Sequence, residues 1–270
     1  MSTHLPRERE SDGSIRVAGP ASGNRPDRLG EQAPPRPLWR YRLIHAVLRL
    51  CTRAYSSPRL EGLEILPAGP AILCFSHQNW IDPLYVLPAL PVARRIHFFG
   101  PEQADMTRGL RNRMMRWGGL AVPYRPGKRG LLAATRRVEE LLAAGDLVAI
   151  AGEGRIHAGE AVILPLLDGP AHMALRSGVP LVPVAINGTS WLAFRRPVRV
   201  RIGRPIMPSV GVSRRPDPEA VRAMTAQGRA SLLGLVEDFP DPPRSRWLGG
   251  RLTELFNDWP EGTRPQVPPR

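Results

Sequence analysis

Ala71-Ile72-Leu73-Cys74-Phe75-Ser76-His77-Gln78-Asn79-Trp80-Ile81-Asp82-Pro83 is the stretch on which the reading of the chain turns. Its first five residues form a short apolar run entered through Gly69-Pro70, which is the pattern of a buried strand. Asp82-Pro83 has the form of a helix start, with Asp at the cap and Pro at the first helical position. The loop between them can fold back and bring the Asp82 carboxylate to the His77 ring. Such a pairing fixes the imidazole tautomer and stabilises the imidazolium, as a general base acting on a hydroxyl requires. A plainer reading, in which Asp82 only caps its helix, fits the same spacing.

Working outward, strand and helix patterns alternate. The spacing predicts a strand at 96–99, a helix at 103–117, a strand at 120–122, a helix at 129–143 and a strand at 147–150. A helix at 169–177, strands at 181–186 and 198–202, and a last helix at 217–238 follow. In helix 103–117, Met106, Leu110, Met114 and Trp117 share a stripe suited to a core. This alternation indicates an α/β domain whose central sheet is largely parallel and flanked by helices. In such sheets ligands sit beyond the carboxyl ends of the strands, and His77 follows one such end.

Residues 38–55 read as an amphipathic helix. Trp39, Leu43, Val47, Leu50 and Ala54 share one face, widened by Ile44 and Cys51, while Arg42, Arg49 and Arg53 line another. That composition suits a helix lying in a membrane interface. It equally suits a helix packed on its own domain, and both can hold together. Residues 1–37, rich in Pro and charge, read as disordered, and 239–270 as a Pro/Arg-rich tail with one short helical piece near Trp247–Phe256. The remaining span, 56–238, is the expected catalytic-size domain.

The net charge is +14, and Lys128 is the only lysine against 37 arginines. Guanidinium groups favour phosphates, whether of anionic lipid or of nucleic acid. No recognised nucleic-acid motif or aromatic platform accompanies the charge, so nucleic acid is not expected. Cys51 and Cys74 have no metal spacing, and a reduced compartment is the default. The amino terminus has no apolar stretch of signal-peptide type, and no run reaches the ~18–20 apolar residues of a membrane span. The expectation is a cytoplasmic protein, peripheral on the inner face of the cell membrane.

Further signals fall at strand ends. Gly119-Leu120-Ala121-Val122-Pro123-Tyr124-Arg125 closes an apolar strand with an arginine. Ile150-Ala151-Gly152-Glu153-Gly154-Arg155 closes another with a carboxylate and a guanidinium around a flexible glycine, which permits a sharp turn and close ligand approach. Arg155 can grip a phosphate with two prongs. Val179-Pro180-Leu181-Val182-Pro183-Val184 turns into a buried strand. Each signal also has a plain reading, as a solvated charge or a tight turn.

Taken in order, His-x4-Asp, Gly-x5-Arg, Glu-Gly-Arg and Val-Pro-Leu-Val-Pro-Val resemble the motifs of the glycerophospholipid acyltransferase family, over roughly residues 60–206. The resemblance implies transfer of a fatty acyl group from acyl-CoA or acyl carrier protein to a lysophospholipid, by default 1-acylglycerol-3-phosphate. It implies no metal or redox cofactor. It casts His77 as general base, Asp82 as its orienting partner, and Arg125, Glu153, Gly154 and Arg155 as acceptor-binding residues. Gly119 and Pro183 would shape the pocket. The chain departs from the family where Phe-Pro-Glu-Gly-Thr-Arg is usual, since Ala151-Gly152-Glu153-Gly154-Arg155 lacks the threonine. Gly100-Pro101 and Leu167 also stand where basic residues are common. Trp259-Pro260-Glu261-Gly262-Thr263-Arg264 copies the usual motif more closely, but no apolar strand leads into it. A serine hydrolase would need a Gly-x-Ser-x-Gly elbow, which is absent. A basic protein without catalytic activity, binding anionic lipid or nucleic acid, is the alternative of another class.

Overall fold

The computed structural model describes residues 38–101, 109–125, 127–157, 159–191, 193–208, 215–236 and 239. The elements run α1 (Leu38–Tyr55), β1 (Ser57–Glu61), β2 (Ala71–Phe75), α2 (Asp82–Ala89), β3 (Ile96–Pro101), α3 (Gly109–Trp117) and β4 (Ala121–Tyr124). They continue with α4 (Lys128–Ala143), β5 (Leu147–Ala151), α5 (Gly169–Ser177), β6 (Leu181–Asn187), β7 (Pro197–Ile202) and α6 (Pro218–Val236). The strands form one sheet in the order β1-β7-β6-β2-β5-β3-β4. β6, β2, β5, β3 and β4 run parallel, β7 is antiparallel to β6, and β1 is parallel to β7. The expected α/β architecture with a largely parallel sheet is therefore present.

Alternate residues of each central strand feed two separate cores, as the two-residue period of a strand dictates. Leu73, Phe75, Ala149, Val182, Val184 and Ile186 pack with α1, α2 and α3 on one face. Ile72, Cys74, Val148, Ile150, Leu181 and Ala185 pack with α4, α5 and α6 on the other. Every residue of β2 and β6 is buried, which is why both read as continuous apolar runs. β1 escaped the sequence reading because Ser-Pro-Arg-Leu-Glu has one aliphatic residue and lies at the sheet edge with alternating burial.

Helix α1 has three faces. Tyr41, Ile44, His45, Leu48 and Thr52 are buried against the domain. The stripe expected from the sequence, Trp39, Leu43, Val47 and Leu50, points outward and stays exposed, with Leu50 at 72%. Arg42, Arg49 and Arg53 are exposed beside it. The buried face was overlooked because it mixes Tyr, His and Thr with aliphatics. Those polar atoms are satisfied locally: Tyr41 Oη donates to the Arg94 carbonyl at 2.9 Å, and Thr52 Oγ1 to the Leu48 carbonyl at 2.8 Å.

In α3 the buried side chain is Met115, with Met114 and Trp117 partly buried beside it. Met106, like the segments 1–37 and 240–270 and the Trp259–Arg264 motif, lies outside the described residues, and so does the Leu110 side chain. Among the described residues no helix is long and apolar enough to cross a membrane.

Candidate active site

All five parallel strands end at one edge of the sheet, and the loops beyond that edge carry the candidate residues. β2 and β5 are neighbours with Phe75 opposite Ala151, so His77 and Glu153 each lie two residues past paired strand ends. Ser76 pins the first loop to β6, because the Ile186 N–H donates to Ser76 Oγ at 2.9 Å and the Ser76 N–H to the Val184 carbonyl at 3.1 Å. The His77 ring then stands edge-on to Phe75, with centroids 5.5 Å apart.

Asp82 is fully buried and is the first residue of α2, yet its carboxylate makes no cap to that helix. It turns back instead. Asp82 Oδ2 accepts from the Gln78 N–H at 2.8 Å, the Asn79 N–H at 2.9 Å and His77 Nδ1 at 2.9 Å. An oxygen that already takes two backbone donors is an acceptor toward the imidazole as well. The proton therefore sits on Nδ1, and the lone pair is on Nε2. His77 is 12% exposed, enough to present that nitrogen to a ligand.

Glu153 is equally buried. Its Oε2 accepts from the His77 N–H at 3.0 Å, and its Oε1 from His157 Nε2 at 3.0 Å and the Leu164 N–H at 2.9 Å. The His157 N–H closes the ring by donating to the His77 carbonyl at 3.2 Å. With its side chain wholly enclosed, this carboxylate faces the protein. Gly154 has φ of 65°, and a Cβ there would meet Leu167 Cδ1 at 2.3 Å, so the turn needs glycine. Gly152, where the family has proline, has the same need by close approach: a Cβ would lie 2.6 Å from Cys74 Sγ. The turn delivers Arg155 to the surface, where its guanidinium has no hydrogen bond or ion pair to any described residue.

Arg125 follows β4 on the same sheet edge, also exposed. Its strand is three places from β2, or about 14 Å at the usual strand spacing. The structure thus gathers His77, Asp82 and Glu153, with Gly154 and Arg155 following on the Glu153 loop and Arg125 beyond β4 on the same sheet edge. It does not gather Gly119, which precedes β4 at the opposite edge and gives its carbonyl to His97 Nδ1 at 2.9 Å. Pro183 lies inside β6, opposite Cys74 and buried, so it reaches the mouth only through the sheet.

Sequence reasoning missed Gln78, Asn79, His157, Glu160 and Thr189, which form the buried polar bed beneath the histidine. The signal available for the first two was two amide residues directly after a candidate base. Burial and the charge of Glu153 push the Cys74 thiol up to about 12, so it stays protonated and non-nucleophilic on β2, the strand that leads into the His77 loop. Among the described residues no cluster of three or more His, Cys, Asp or Glu is placed to hold a metal.

Comparison with known proteins follows the geometry. Residues 57–187 match the family model described as Acyltransferase. No curated protein sequence matches the chain. Among solved structures it is similar to the 1-acyl-sn-glycerophosphate (LPA) acyltransferase PlsC from Thermotoga maritima, with a TM-score of 0.53 and 21% sequence identity. That match covers 75% of this chain and 81% of the other, and carries the fold. The stretch that ends with β6 and holds the His77–Asp82 loop and the Glu153 turn is thus similar to the Acyltransferase family model, and the chain shares the fold of PlsC.

Proposed function

We propose that this protein transfers a fatty acyl group from a thioester donor, acyl-CoA or acyl carrier protein, to a hydroxyl of a lysophospholipid, with 1-acylglycerol-3-phosphate as the default acceptor. The observation that carries the reading is His77 Nδ1 held at 2.9 Å by a buried Asp82, with the adjoining loop carrying Arg155 exposed just past Glu153. His77 Nε2 takes the proton of the acceptor hydroxyl while its oxygen attacks the thioester carbonyl. The tetrahedral adduct collapses, the C–S bond breaks, and the thiolate leaves with the proton from the imidazolium. Asp82 stabilises that imidazolium. Base catalysis of this kind contributes about 10²–10⁴-fold. The protonated Cys74 supports direct transfer over a thiol-bound acyl intermediate.

Arg155, with Arg125 at the flank, is suited to the acceptor phosphate. Glu153 acts on the loop: it holds the His77 backbone in place. The exposed stripe of α1 and its three arginines suit a peripheral contact with an anionic bilayer, on the cytoplasmic face. A second reading, an acceptor with another headgroup such as a glycolipid, is favoured by Leu167, 58% exposed where the family commonly has a cation. The deciding experiment incubates purified protein with radiolabelled acyl-CoA and a panel of lysolipids and glycolipids, with His77→Ala alongside. Transfer to lysophosphatidate by the wild type and its loss in the variant is expected. Equal transfer by a folded His77→Ala protein would remove the base from this role.

A further inference from the structure

A third buried carboxylate, besides Asp82 and Glu153, lies behind the site, and nothing in the reaction as derived uses it. Glu160 has no exposed side-chain surface, and its carboxylate is held by Asn187 at the end of β6 and by Gly188, Ser190 and Arg196 in the loop between β6 and β7. Its Oε2 accepts from the Gly188 N–H at 2.7 Å and from Asn187 Nδ2 at 3.4 Å. Its Oε1 accepts from Arg196 Nη2 at 2.9 Å and from Ser190 Oγ. Arg196 in turn donates from Nη1 to the Trp191 carbonyl at 2.9 Å. The same loop grips the residues after His77. Asn79 Nδ2 donates to the Thr189 carbonyl at 2.8 Å, and Thr189 Oγ1 reaches Gln78 Oε1 at 3.5 Å. Gln78 Nε2 donates to the Gly159 carbonyl, next to Glu160, at 3.1 Å.

These contacts form a chain: Glu160 fixes the β6–β7 loop, that loop and Gly159 fix the Gln78 and Asn79 side chains, and the backbone N–H groups of those two residues fix Asp82 Oδ2 against His77. We infer that Glu160, clasped by Arg196, is a positioning residue for acyl transfer, which sets the His77–Asp82 pair through the β6–β7 loop. The inference rests on the proposed transferase reading for its kinetic consequence, but its structural consequence can be read without any substrate. A misplacement of about 1 Å at a reacting group costs about 10²-fold in rate.

The substitution Glu160→Gln keeps the shape but turns an NH2 toward a set of donors, so the clasp opens. Two measurements are made below the melting temperature of the variant. Hydrogen exchange of the peptide covering residues 77–82 reads the loop directly, and the Gln78 and Asn79 amides are expected to exchange at least about tenfold faster. Steady-state kinetics are expected to show kcat lowered about 10- to 100-fold with both KM values within a few-fold, because the clasp acts on the base and touches neither substrate. Arg196→Lys, which keeps the cation, should retain more kcat than Arg196→Met. If Glu160→Gln fails to fold, Ser190→Ala and the Arg196 pair carry the same two readouts. Unchanged exchange at 77–82 would overturn the inference whether or not the enzyme transfers acyl groups. A raised KM with unchanged kcat would overturn it too, by making the loop a substrate contact. Faster exchange in a protein that acylates no lysolipid would leave the clasp standing and instead sink the transferase reading.

Discussion

Replacing Asp82 by asparagine separates charge from geometry at the base. The Gln78 and Asn79 N–H groups at 2.8 and 2.9 Å are both donors, so they select the rotamer that points the new amide oxygen at them. That oxygen still accepts from His77 Nδ1, and the tautomer with a free Nε2 is kept. What is lost is the negative charge that faces the imidazolium in the transition state. At an effective dielectric constant near 20, a charge about 4 Å away is worth about 4 kcal/mol. Each 1.36 kcal/mol is tenfold in rate, so kcat should fall about 10³-fold with KM for either substrate little changed.

A stability effect accompanies it. Asp82 Oδ1 is buried with no hydrogen-bond partner among the described residues, and the amide NH2 would occupy its place. An unsatisfied buried donor costs about 1–3 kcal/mol, so the assay temperature should sit well below the melting point of the variant. The rate is followed as thiol released from acyl-CoA in the presence of acceptor, with His77→Ala as the floor. A folded Asp82→Asn enzyme within about tenfold of wild type would refute the argument. Asp82 would then be a loop pin and the imidazolium would draw its stabilisation elsewhere.

Arg155→Ala should raise the acceptor KM about 10- to 100-fold, the value of one charge-assisted contact, and leave donor KM and kcat nearly unchanged. An acceptor titration that overlays wild type would remove Arg155 from phosphate binding. Alkali should destabilise the fold. The Cys74 thiol rises from 9.0 to about 12 and the Tyr41 phenol from 10.0 to about 12, both chiefly through burial. Their contribution is complete below the unfolded values and is lost as pH climbs toward 12, at about 1.4 kcal/mol per pH unit for each group. Urea midpoints should therefore fall from pH 9 upward, with the loss between pH 9 and 10 absent in Cys74→Ala; a wild type flat over that unit contradicts the assignment. Reversing Arg42, Arg49 and Arg53 to Glu should weaken partition to vesicles containing phosphatidylglycerol by at least about 10²-fold, at about 1 kcal/mol per arginine lost. Equal partition of both proteins would detach α1 from the membrane contact.

Legibility in the sequence followed the physics of each element. β2, β5 and β6 are buried on both faces, so their apolar runs stand out, and α1 runs over the expected residues because its pattern lasts five turns. β1 is an edge strand and leaves no such trace. In the site, His77 and Asp82 are legible because five residues and a loop separate them. Glu153 is visible too, but which way its carboxylate turns depends on His157, Leu164 and the His77 amide. Those partners meet only after β5 has aligned with β2. Glu160 was invisible for a stronger reason. Its partners begin 27 residues onward, at Asn187, and a glutamate in a loop ordinarily reads as a solvated charge.

The placement of α1 also follows from strand direction. Tyr41 contacts Arg94, just before β3, at the amino edge of the parallel strands. The other end, at Tyr55, takes a hydrogen bond from the Arg195 N–H at 2.7 Å and meets Phe194 ring to edge. Phe194 lies in the loop that leaves the carboxyl end of β6, and Ser57 pairs with Pro197 where that loop enters β7. The helix therefore runs across one face of the sheet from the amino edge to the edge that holds His77. Its exposed apolar stripe leads toward the same edge, where Phe194 is 69% exposed. A bilayer taken up along that stripe would meet the mouth beside the Glu160 clasp. A lysolipid could then present its hydroxyl to His77 while its acyl chain stayed in the membrane, and no deep cavity in the domain would be needed to hold that chain.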